Sequence, residues 1–141
     1  MNSFDAMTCF TEQIRRAISF DDFNVKVITT PSPVDEKGMV VKVTMLKTFK
    51  AKPGRNIRLR LSVCGAAESD QGIKDALTAI ERIDDYLENP RHLEDPSGNK
   101  IVNTRIIQAV TEEDSFFTSP DDLQVQEVDD NRIVTITIPI N

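Results

Sequence analysis

From Arg55 to Cys64 the chain alternates without a break. Ile57, Leu59, Leu61 and Val63 fall on one side, and Asn56, Arg58, Arg60, Ser62 and Cys64 fall on the other. A period of two describes an extended strand with one buried face. Met39 to Lys50 reads the same way, with Val41, Val43, Met45 and Phe49 on the apolar side and Lys42, Thr44 and Thr48 opposite. Lys52-Pro53-Gly54 lies between the two runs and supplies turn chemistry, so the pair is expected as a hairpin. A long hairpin with one apolar face must be covered, and the rest of the chain has to provide the cover.

Two segments have the right period for that. Asn2 or Ser3 can cap a helix running to about Phe20, in which Phe4, Met7, Phe10, Ile14, Ala17 and Ile18 form one stripe. A second helix is expected from Ile73 to Leu87, with Ile73, Ala76, Leu77, Ile80, Ile83 and Leu87 inward, ending before Asn89-Pro90. Asn24–Thr30 reads as a short strand ended by Pro31-Ser32-Pro33, and Arg105–Val110 as another. Gly65–Gly72 and Glu112–Asp122 read as loops. The chain closes with an expected terminal hairpin, Leu123–Val128 and Arg132–Ile140, turning at Asp129-Asp130-Asn131. The plan is a single α+β domain over residues 1–141. It has a mostly antiparallel sheet of about five to six strands, two main helices packed on it, and the order α-β-β-β-α-β-β-β.

Charge divides the chain more sharply than composition does. Residues 1–36 sum to −3, residues 37–60 to +8 with no acid at all, and residues 61–141 to −11, giving the total of −6. If the basic and acidic segments occupy different faces, one copy can bind another head to tail, or one side can bind an anion. The basic candidates are Lys50, Lys52, Arg55, Arg58 and Arg60. The acidic candidates are Asp75, Glu81, Asp84, Asp85 and Glu88 on the outer face of the second helix. Three readings of the basic hairpin stand: a protein interface, a solvated strand face that guards an edge, and sequence-blind phosphate contact. With Phe49 expected in the core, the basic face lacks the aromatic platform that single-strand binding uses.

Catalytic and metal signatures are sparse. His92 is the one histidine, in a polar loop near Glu94 and Asp95, with no second histidine to complete a zinc or iron site. Asp84-Asp85 and Asp129-Asp130 are adjacent acids that point apart on a helix or sit in a turn, without the spacing of a calcium loop. Gly65-Ala66-Ala67-Glu68 lacks the lysine of a phosphate loop, and Ser62-Val63-Cys64-Gly65 lacks the glycine of a nucleophile elbow. Cys9 and Cys64 are expected as buried reduced thiols. No cofactor is expected. The N-terminus has no basic-then-apolar signal, and no apolar run reaches membrane-spanning length, so a soluble cytoplasmic protein is expected.

The helix Ser3–Phe20, the hairpin Met39–Cys64, the helix Ile73–Leu87 and the terminal pair Leu123–Val128 and Arg132–Ile140 follow one another in a chain that resembles the phage tail-terminator group. These are minor tail and tail-completion proteins of long-tailed phages and prophages. The likeness is one of pattern over nearly the whole chain and carries no short diagnostic motif. It implies a non-enzymatic hexameric ring that caps the tail tube and presents a surface to the head connector. It also implies partners among copies of itself and other tail or connector proteins, and a location in the cytoplasm during assembly and the virion tail afterwards. The alternative is a monomeric adaptor that holds an acidic partner or nucleic acid on the basic hairpin.

Overall fold

A computed structural model describes residues 1–19, 26–29, 40–52, 54–67, 69–89, 91–111, 116–118 and 126–139. The fold is α+β. Its elements are α1 (Ser3–Ile18), β1 (Lys26–Thr29), β2 (Val40–Ala51), β3 (Gly54–Ala67), α2 (Asp70–Leu87), β4 (Arg105–Thr111), β5 (Phe116–Thr118) and β6 (Gln126–Pro139). An antiparallel run β2-β3-β6-β4 forms the body of the sheet. β1 joins β2 in parallel, and β5 pairs with the far end of β6.

The expected hairpin is present, with Ala51 opposite Gly54 at its tip. The close approach of β6 requires the glycine, because a Cβ at Gly54 would lie 2.1 Å from the Ile138 carbonyl oxygen. The expected inward residues of β3, namely Ile57, Leu59, Leu61 and Val63, are all buried. They meet Val134, Ile136 and Ile138 of β6 and the apolar stripes of both helices in one core. Both helices therefore cover the same side of the sheet.

Local chemistry sets the helix starts. The Asn2 side chain accepts from the Asp5 amide at 2.8 Å, and the Asp5 carboxylate accepts from the Asn2 amide, which closes a capping box. Ser69 caps α2 by accepting from the Gly72 amide at 3.2 Å. Met7, Phe10, Ile14 and Ile18 are buried as the periodicity predicts, but Phe4 is exposed at the open end of its helix. On α2 the buried line is Ala76, Ala79 and Ile83, and Leu77 stands 43% exposed. No helix among the described residues is long and apolar enough to cross a membrane.

Three expectations fail along β6 and the strands that pair with it. The terminal hairpin does not form, and β6 runs straight through Asp129, Asp130 and Asn131, which pair with Cys64, Val63 and Ser62 of β3. A long partner strand outweighs the turn preference of Asp-Asp-Asn, and β3 itself continues past Cys64 to Ala67, inside the expected Gly65–Gly72 loop. Within the expected acidic loop Glu112–Asp122, Phe116–Thr118 is strand β5. The rest of that loop, Pro31-Ser32-Pro33 and Leu123–Val125 lie outside the described residues.

Candidate assembly surfaces

The side of the sheet away from the helices is built in cross-strand rows. One row joins Lys47, Arg58, Thr135 and Gln108, and the next joins Phe49, Asn56, Thr137 and Arg105. On the other side of the Lys47–Arg58 row, Thr44 is opposite Arg60, and Lys42 is opposite Ser62. Polar contacts knit the surface together. Thr137 donates to the Asn56 side chain at 2.8 Å, and Ser62 donates to Asn131.

Phe49 belongs to this basic face, against the expectation that it lies in the core. Leu46 is an extra residue: Met45 pairs with Leu59, the register then shifts, and Lys47 pairs with Arg58. One inserted residue reverses the phase of everything after it. Phe49 thus sits opposite Asn56 rather than Ile57, half-buried, with the Lys47 ammonium 5.4 Å and the Arg58 guanidinium 5.6 Å from its ring centre. Both distances suit cation–π attraction. Leu46 remains 38% exposed beside them. The one sequence signal of the bulge is the adjacency of two apolar residues, Met45-Leu46, where alternation calls for one.

The basic candidates divide between the two faces, Lys50 through this shift and the arginines through the alternation of β3 itself. Arg58 and Arg60 occupy the open face. Lys50 and Arg55 form a pair on the helix side, where Arg55 donates to the Thr48 hydroxyl at 3.0 Å and Ser3 reaches the same hydroxyl at 3.4 Å. Lys52 lies exposed at the tip.

On the opposite side of the molecule, Glu81, Asp84, Asp85 and Glu88 are exposed along α2. Asp75 is half-buried and accepts from Gln71 at 2.8 Å. Asp84 is not a plain solvent residue. Its Oδ1 accepts from both Nε and Nη2 of Arg132 at 2.7 Å, and Arg132 Nη1 donates to Asp130. Arg132 and Asp130 thus lie beneath α2, on the side of β6 opposite Asp129. Adjacent acids that sequence reading pairs together are separated by the strand.

The remaining chemical candidates stay apart. His92 meets neither Glu94 nor Asp95 in a relay, and its buried Nδ1 has no hydrogen-bond partner among the described residues. Asp95 instead accepts from the Ser97 and Asn99 amides at 2.9 Å, an ordinary turn device. Sequence reading missed Gln13, a buried residue of α1. It donates to the His92 carbonyl and accepts from the Glu94 amide, each at 3.0 Å, and so ties the 91–104 segment to the helix. Cys64 lies half-buried on the open face. Burial pushes its thiol up, Lys42 pulls it down less strongly, and Asp129 adds to the rise. Burial also raises the Cys9 thiol, helped by Asp5 and Asp95. Neither thiol is primed as a nucleophile. Among the described residues no group of three or more His, Cys, Asp or Glu side chains could hold a metal ion.

No protein-family model matches this chain, and no curated protein matches it.

Proposed function

We propose that this chain is a structural subunit that assembles with copies of itself through two oppositely charged faces, as a ring-forming tail terminator of a long-tailed phage or prophage. In that role it caps the tail tube and joins it to the head connector, forming in the cytoplasm and ending in the virion tail. The observation that carries the proposal is the placement of charge. Arg58, Arg60, Lys47 and Lys42 lie on the open side of the sheet, and Glu81, Asp85 and Glu88 lie beyond the helix layer on the other side. A subunit with unlike faces associates head to tail, and such contacts close into a ring when each step adds the right rotation. The order of elements that suggested the tail-terminator group supports the same proposal.

Light scattering over a range of protein and salt concentrations tests it. A discrete multimer that dissociates as salt rises is expected, because exposed charges are screened within about 10 Å at 0.1 M salt. A chain that stays monomeric up to millimolar concentration at low salt would sink the proposal.

A second reading has one observation in its favour. Phe49 on the basic face supplies the aromatic surface that single-strand binding needs. An adaptor of this type would bind an oligonucleotide as a monomer, with affinity falling steeply as salt rises.

A further inference from the structure

α2 is amphipathic in an unusual way, because its solvent side carries an apolar residue at the head of an acidic line. Leu77, Glu81 and Glu88 are spaced four and seven residues apart, which places them along one edge of the helix. The stripe covers about 16 Å at 1.5 Å per residue. Asp85 flanks it, and Lys74 is the one base on that side, about one turn before Leu77. The sheet's open face has the matching order. Phe49 stands in the row nearest the hairpin tip, Lys47 and Arg58 share the next row, and Arg60 lies two residues further along β3, with Leu46 exposed at the bulge between the Arg58 and Arg60 rows. That places Arg60 about 7 Å beyond Arg58.

We infer that the open sheet face of one copy receives α2 of the next, with Leu77 seated against the edge of the Phe49 ring, Glu81 meeting Arg58, and Leu46 flanking the contact. This rests on the assembly proposed above and names its contact. Charge complementarity selects the occupant, because the molecule carries both the basic face and an acidic helix that suits it. An apolar anchor beside ion pairs is the composition expected of an interface centre and its rim. The surface is also long enough. The 18 residues of α2 span about 27 Å, and the 14 residues of β3 span about 46 Å.

The decisive experiment uses two single-charge reversals, Arg58→Glu and Glu81→Lys, with Leu77→Ser as a third variant, all compared with the parent by sedimentation velocity. Circular dichroism and urea unfolding confirm that each remains folded. Each variant alone is expected to weaken association at least tenfold. An equimolar mixture of Arg58→Glu and Glu81→Lys should regain it, because every junction in an alternating assembly then joins opposite charges. If the parent assembles and the variants match it, the assembly proposal stands and this contact is wrong. If the variants weaken assembly but the mixture does not recover, these residues do not face each other and the contact is likewise overturned. A parent that never assembles removes both. Binding of an oligothymidylate by a monomeric parent, lost in Arg58→Glu, would assign the face to a nucleic-acid strand and overturn the inference.

Discussion

Replacing Arg132 with leucine should destabilise the fold by about 3 kcal/mol, the lower end of what is measured when one partner of a buried pair is removed. The Arg132 side chain is only 6% exposed, and Asp130 beside it is 12% exposed, so the substitution leaves a carboxylate under α2 without its cation. Asp84, the third member, is 53% exposed, and water can replace what it loses. Asp84→Asn should therefore cost no more than about 1 kcal/mol, in the range of surface pairs. In urea, with a slope near 2 kcal/mol/M for a chain of this size, the two variants should move the midpoint by about 1.5 M and 0.5 M or less. Arg132→Leu combined with Asp130→Val removes both buried charges. It should recover most of the loss, since apolar replacement of a buried pair is often neutral or favourable. The reasoning fails if Arg132→Leu costs no more than Asp84→Asn, or if the double variant is no better than Arg132→Leu alone.

Other substitutions probe the features that sequence reading misplaced. The chain has no tryptophan, so Phe49→Trp introduces a single fluorophore. It should emit as a half-exposed indole and be quenched by iodide, whereas blue, unquenched emission would return residue 49 to the core. Gln13→Leu leaves the Glu94 amide without its acceptor and should cost about 2 kcal/mol. Hydrogen exchange should quicken mainly over residues 91–104, and unchanged exchange there would contradict the tie. Gly54→Ala drives a methyl into the Ile138 carbonyl and should cost up to about 3 kcal/mol by overpacking. A thermal midpoint equal to the parent's would show that the hairpin tip gives way. Stability should also fall as pH rises past about 9, the direction set by proton uptake being greater in the folded state. Burial raises Cys9 and Cys64 above the ordinary thiol value of 9.0 and Tyr86 above 10.0, so unfolding releases protons there. Urea midpoints that stay level through that window would contradict the burial of all three groups.

Legibility in the sequence follows how much of a signal is local. The β3 alternation and the capped stripe of α1 are periodic over many residues, and they appear where expected. Leu77 looked inward because an apolar residue at helical spacing carries no mark of which neighbour covers it, and Ala76 and Ala79 fill that place instead. The Asp129-Asp130-Asn131 turn failed because turn preference is local while the pairing with β3 is not. In the extended course Asp130 has Arg132 as its partner. Phe49 was lost to a single inserted residue, whose effect is to reverse every later assignment on that strand. The charge split was legible at once. Alternation on β3 also places Arg55 with Ile57 and Arg58 and Arg60 opposite, but the sides of Lys47 and Lys50 were not legible, because they depend on the bulge.

The bulge also separates two roles for the basic residues that sequence reading could not divide. β1 pairs with β2 only from Val40 to Val43, so among the described residues the later part of β2 is an edge. Leu46 distorts that edge, and Lys47, Lys50 and Lys52 follow it, which are the devices that keep an edge from pairing with another chain. Ile107 makes a second bulge in β4, next to Gln108, which shares the row of Lys47 and Arg58. Both strands that flank the β3–β6 pair are thus disrupted at one level. Edge protection, however, gives no reason for Arg58 and Arg60. β3 is bonded along its length by β2 on one side and β6 on the other, and has no edge to guard. Arg58 lies 5.6 Å from the Phe49 ring centre, and both arginines stand on the face that the proposed assembly uses. On the assembly proposed above, the lysines of β2 keep its edge from pairing while Arg58 and Arg60 of β3 meet the neighbouring copy.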